Sequence, residues 1–159
     1  MARRLLHLVP GLWLLLGCAH AAEPVESSGV WVTHHPNGAK ASEAEHVNGA
    51  LVGALRMWDD QGHLLYEGRH DERGEMDGPW QRWWPSGGPR MRWTMEHGHQ
   101  EGPVEAWYES GAPRLRGAHH EGARDGAWTW WAEDGRVSHA CRYERGRVVE
   151  GTCEPPAPE

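Results

Sequence analysis

Between residues 29 and 151 apolar and polar side chains alternate in runs of six to nine residues, and each run stops at a cluster of turn-forming residues. The alternation is clearest in the second run of each pair. Every other residue there is apolar, aromatic or glycine: Leu64, Tyr66, Gly68 and His70; Met91, Trp93 and Met95; Leu115, Gly117 and His119; Val137, His139, Cys141 and Tyr143. The residues between them are mostly charged. Runs this short with a period of two predict β-strands that pack one face and expose the other. The intervening clusters, among them His35-Pro36-Asn37-Gly38, Asp59-Asp60-Gln61-Gly62 and Glu133-Asp134-Gly135, are built from residues that turns require. The prediction is a series of β-hairpins.

The series is periodic. Glycines recur at positions 29, 53, 78, 102, 126 and 151, at intervals of 24 or 25 residues, and two further glycines keep step inside each unit. Units of that length stack, because none can bury its apolar face alone. The expected fold is all-β: one elongated, twisted antiparallel sheet of about five consecutive hairpin repeats. Trp31, Leu55, Trp80, Val104 and Trp128 share the position two residues past each opening glycine and form a column. Across the turns joining successive units, Ala44 falls opposite Leu55, Gly68 opposite Trp80, Trp93 opposite Val104 and Gly117 opposite Trp128, which pairs large side chains with smaller ones. The same equivalence sets Cys141 opposite Cys153 and predicts a disulfide closing the last hairpin, the alternative being two free thiols.

The ends divide the chain. Arg3 and Arg4 precede the apolar run Leu5 to Leu16, too short for a bilayer span of roughly 20 residues, so residues 1–17 are expected to be a signal peptide. Leu15-Leu16-Gly17-Cys18 resembles the lipobox of bacterial lipoproteins, which implies lipidation of Cys18 and export to the outer membrane or cell surface. The other reading is ordinary cleavage near Ala21 or Ala22. Residues 18–28 read as a flexible tether, 29–153 as the repeat domain and 154–159 as a disordered Pro- and Glu-rich tail.

The formal charge is −7, and removal of Arg3 and Arg4 with a leader would lower it by two more. Nucleic acid is thereby excluded as an expected partner, and a membrane is expected to be met only through the lipid anchor. The 12 histidines invite a metal reading, notably His34-His35, His97 with His99, and His119-His120. Adjacent residues on a strand point to opposite faces, so no metal site and no cofactor are expected. Neither a nucleophile elbow nor a phosphate-binding loop is present, and no enzymatic activity is expected. One candidate binding face remains. Trp58, Trp83, Trp107 and Trp131 lie five residues past the opening glycines, on the polar side, with Arg90, Arg92, Arg114 and Arg116 beside them. Rings interleaved with guanidinium groups can engage a protein or a sugar, or can simply pack on each other as a second, thinner layer.

The stretch Gly78-x-Trp80-x-x-Trp83-Trp84-Pro85-Ser86-Gly87, with Asp60-Gln61-Gly62-His63-Leu64-Leu65-Tyr66-Glu67-Gly68, resembles the MORN repeat in its bacterial variant form, over residues 29 to 151. His46, His70 and His119 stand where that repeat carries the tyrosine of its Gly-x-Tyr step, while Ala44, Trp93 and Cys141 replace its glycine. The resemblance implies an adaptor or protein-binding scaffold in the cell envelope, with another envelope or secreted protein as partner. An antitoxin or immunity-type partner of a toxin is the analogous role of some bacterial relatives. A similarity to Trp-rich hairpin repeats of wall-attached proteins implies, instead, binding of glycan or cell wall.

Overall fold

The computed structural model describes residues 28–153; the expected signal peptide, Cys18, all but the last residue of the tether, and the tail lie outside them. Twelve strands form one antiparallel sheet: β1 (Gly29–His34), β2 (Lys40–Val47), β3 (Ala50–Trp58), β4 (Leu64–His70), β5 (Met76–Trp83), β6 (Pro89–Glu96), β7 (His99–Gln100), β8 (Gly102–Trp107), β9 (Pro113–His120), β10 (Ala123–Trp131), β11 (Val137–Glu144) and β12 (Arg147–Thr152). Strand order follows the sequence, and the two-residue β7 pairs with β6 beside β8. The fold is the expected all-β sheet of consecutive hairpins.

The turns explain why each strand folds back on the last. Asn48-Gly49, His97-Gly98, Glu121-Gly122 and Arg145-Gly146 all have positive φ at both residues, the backbone of a type I′ turn, whose twist matches that of the strands it joins. Asp59 and Asp134 at the opposite margin, and Asp71 on the same margin as these turns, each accept a backbone N–H two residues ahead and so cap their own turns.

The packed face holds one continuous row across the strands. Trp31 pairs with Ala44, Ala44 with Leu55, and Leu55 with Gly68. Further along, Trp80 pairs with Trp93, Val104 with Gly117, and Trp128 with Cys141. Two of the three gaps are bridged by indoles: a Cβ on Gly68 would fall inside the Trp80 ring, and one on Gly117 inside the Trp128 ring, while at the third Trp93 packs against the buried cluster that contains Val104. Neither glycine has a positive φ, so what they supply is space. Trp80 and Trp128 are 2% exposed and Val104 is 1% exposed. Trp130, Cys141 and Tyr143 are buried with Val104 and Trp128, and Met91, Trp93, Leu115 and Cys153 pack against that cluster.

Two details differ from the sequence expectation. Trp31 heads the column yet is 46% exposed, because β1 is an edge strand with no described neighbour beyond it. Cys141 has Gly151, not Cys153, as its partner in register. Internal hairpin junctions take up two extra residues around the opening glycine, as between Asp125 and Thr129, whereas the last takes up one. Cys153 therefore meets Cys141 diagonally, and the predicted disulfide forms with the Cα atoms 5.7 Å apart.

Gly68→Ala and Gly117→Ala are expected to destabilise the protein by about 1–3 kcal/mol each, the usual cost of overpacking. Gly88 has no atom within 4 Å of where its Cβ would lie, so Gly88→Ala is expected to change stability by less than about 0.5 kcal/mol. Urea unfolding midpoints for the three variants check the contrast.

Candidate interaction face

The other side of the sheet carries a second row. In register across seven strands stand Glu43, Arg56, Glu67, Gln81, Arg92, Glu105 and Arg116. Charge alternates along it except at Gln81. Arg56 Nε donates to Glu67 Oε1 at 2.7 Å, Arg116 Nη2 to Glu105 Oε1 at 2.9 Å, and Lys40 Nζ to Glu43 Oε2 at 2.7 Å. Exposed pairs such as these contribute little to stability individually, typically about 0–1 kcal/mol. Their regular spacing is the property that bears on recognition.

The candidate tryptophans and arginines do not form one stripe. Every hairpin has a register shift just before the last residue of its first strand, at His34, Trp58, Trp83, Trp107 and Trp131. Trp83 pairs with Pro89 while Arg82 pairs with Met91, which leaves Arg90 as the extra residue of a β-bulge; Arg114 is the corresponding residue between Pro113 and Leu115. Bulges re-aim side chains. The Arg90 guanidinium accordingly lies 4.3 Å from the Trp84 ring, and that of Arg114 lies 5.7 Å from the Tyr108 ring. Arg92 stays in the charged row and lies 5.2 Å from the Trp107 ring, and Lys40 lies 5.1 Å from that of Trp58. Arg116 is held by Glu105. Trp58, Trp83, Trp107 and Trp131 are all partly buried.

Trp84 and Tyr108, which the sequence reading did not select, have a second role. Trp84 Nε1 donates to the Trp107 carbonyl at 3.2 Å, and the Tyr108 hydroxyl donates to the Trp131 carbonyl at 2.8 Å. His35 Nε2 lies 2.9 Å from the Trp58 carbonyl in the same relation. Each ring thus ties its turn to the strand end 23 residues ahead. At the other edge the turns lean on the preceding unit: Glu121 N–H donates to Glu101 Oε2, Arg145 N–H to Asp125 Oδ1 and Asn48 N–H to Ser28 Oγ, each 20 residues back. The signal available in sequence was the recurrence of a donor six residues past the opening glycine and of an acceptor one residue before it.

The histidines at the Gly-x-Tyr position pack as rings. His46 stacks on Trp31 with centroids 4.0 Å apart. His70 meets Trp80, and His119 meets Trp128, edge-on at 5.2 and 5.0 Å. Tyr143 takes the same edge-on pose on Trp128. Asp71, Glu75 and His97 each bring one potential ligand atom within 4.8 Å of the others. Asp71 Oδ1, however, already accepts the N–H groups of Arg73 and Glu75.

A shallow groove of about 510 Å³ lies over β3 to β8. Ala54, Pro79 and Pro103 give it apolar lining, and Arg69, Gln81 and Arg92 give it polar lining. Compared with known proteins, the chain matches no family model and no curated protein sequence.

Burial pushes His70 below its ordinary value of 6.5 against the opposing charge of Asp71. Burial, helped by Arg124 and opposed by Glu101, does the same to His119. Because the unfolded chain takes up these protons first, stability from both groups is present above pH 6.5 and is lost as pH falls below it towards the depressed folded values. His120, raised by its hydrogen bond to Glu101, acts in the opposite sense, contributing below pH 6.5 and losing its contribution as pH rises. Thermal melts are expected to show a drop between pH 7 and pH 5 that the double variant His70→Tyr/His119→Tyr reduces. An equal drop in both proteins would exclude these two rings as its source.

Proposed function

We propose that the chain is a non-catalytic, MORN-type repeat module, lipid-anchored at Cys18 on the bacterial envelope, that binds another envelope or secreted protein along its charged face. The observation that carries this reading is the row from Glu43 to Arg116. Six strand spacings of ~4.8 Å make it about 29 Å long, the scale of a protein contact. Charges fixed at such intervals select a partner of complementary pattern and steer its approach. The tryptophans favour a protein over a glycan as ligand. Stacking on a sugar needs a bare ring, and Trp58 and Trp107 each carry a cation on the ring.

Chemical cross-linking on living cells, followed by identification of the captured protein, tests the proposal. Reversal of two charges in the row, Glu67→Lys with Arg116→Glu, is expected to reduce capture of that protein about tenfold, the effect of losing a close complementary pair. Unchanged capture sinks the proposal. Retention on purified cell-wall material that disappears in Trp83→Ala/Trp107→Ala would replace it with the glycan reading.

A further inference from the structure

The groove over β3 to β8 interrupts the balance of the charged row. Two of its lining carboxylates are engaged within the sheet: Glu67 accepts from Arg56 and Glu105 from Arg116. Its two guanidinium groups are not. Among the described residues, Arg69 makes no ion pair even though Asp77 is its cross-strand partner, and Arg92 rests on Trp107 without a carboxylate. The position between Glu67 and Arg92 holds the neutral Gln81. Glu45 and Asp77 are the remaining carboxylates nearest in register to this wall, and Glu45 accepts the Ala54 N–H. In a chain of net charge −7, the groove therefore presents two cations without a carboxylate partner, Arg69 and the ring-supported Arg92, above the apolar surface of Pro79, Pro103 and Ala54.

We infer that this groove receives an extended acidic peptide segment, with one carboxylate on Arg69 and a second on Arg92. The inference deepens the protein-binding reading and rests on it. Arg69 and Arg92 stand two strands and two residues apart, so their backbone attachment points are ~12 Å from each other. Two acidic residues four positions apart in an extended chain share one face and lie about 14 Å from each other, a separation that side-chain reach brings to the two guanidinium groups. Guanidinium groups bind carboxylates through paired N–H donors, and the apolar floor suits the small or β-branched residues between them. The molecule's general negative charge disfavours such a segment elsewhere on its surface.

The probe is the fluorescein-labelled peptide Ser-Glu-Val-Thr-Ser-Glu-Val-Ser, read by fluorescence anisotropy against the full chain. Saturable binding is expected that weakens as salt rises, because the contacts are exposed ion pairs. Arg69→Gln and Arg92→Gln are each expected to weaken binding about tenfold, the effect of losing one charge-assisted contact. Arg142→Gln, outside the groove, is expected to leave it unchanged. Absence of saturation, equal binding of the peptide with both glutamates replaced by glutamine, or equal affinity of the Arg69→Gln/Arg92→Gln protein would each overturn the inference. If Arg92→Gln loses its thermal transition, the exposed Arg69→Gln variant decides alone. The charge-reversed Arg69→Glu/Arg92→Glu protein provides a gain of binding to the same peptide with lysines at both sites. Failure here with undiminished cross-linking of a cellular partner removes the groove and keeps the scaffold reading. Peptide binding without any cellular partner does the reverse.

Discussion

A one-layer sheet has no second sheet or helix to cover its apolar side, so its side chains must cover one another. The solution in this protein is an indole laid over a strand that lacks a side chain, Trp80 on Gly68 and Trp128 on Gly117. Glycine within a strand ordinarily weakens it. Here the loss is offset by a ring, 2% exposed, that could not otherwise approach the neighbouring backbone. The edge-on contacts of His70, His119 and Tyr143 complete the cover on the same two indoles. Each unit consequently depends on the one beside it, as expected for an array stabilised by nearest-neighbour interfaces. The end of the array shows the same rule in another chemistry: Cys141 occupies the glycine position and Cys153 the tryptophan position, and a covalent bond stands in for ring-on-backbone packing.

The two edges of the sheet do different work from its faces. Ring donors at His35, Trp84 and Tyr108 fasten turns forward onto strand ends, and turn N–H groups at Asn48, Glu121 and Arg145 fasten backward onto Ser28, Glu101 and Asp125. Backbone bonds from Gly98 to Met76, Gly122 to Gln100 and Gly146 to Arg124 reinforce the second edge. With side chains spent on the edges and on the packed face, the remaining face keeps a regular row of charge, which is the surface the proposed function uses.

What the sequence made legible was whatever follows from a period of two and from side-chain size. The strands, their hairpin order, the glycine-under-indole pairs and the ring character of His46, His70 and His119 all belong to that group. The division of the arginines was hidden, because one extra residue in the strand facing each terminal Trp turns Arg90 and Arg114 towards Trp84 and Tyr108, while parity alone places them with Arg92 and Arg116. The forward ties were hidden for another reason. His, Trp and Tyr share nothing in a hydrophobicity pattern beyond a ring that can donate one proton. Glu101 and Asp125 look in sequence like solvated turn carboxylates, and only the lean of the next turn gives each of them a backbone donor.

The clasps are unevenly distributed. The forward tie from the β3–β4 turn would start at Asp59, a carboxylate with no proton to donate and already occupied by Gln61 and His63. The backward tie from the β4–β5 turn would start at Gly74, whose N–H closes onto Asp71 of its own turn. The step from β3 to β5 is thus joined by strand ladders, by the Arg56–Glu67 pair and by Trp80 packed on Gly68, Tyr66 and His70, with neither margin tied across units. Among the described residues this is the step between units that carries neither kind of turn-to-turn tie. The groove with Arg69 and Arg92 begins on that step, so its β3 and β4 wall is held to β5 by strand pairing and side-chain packing rather than by ties between turns.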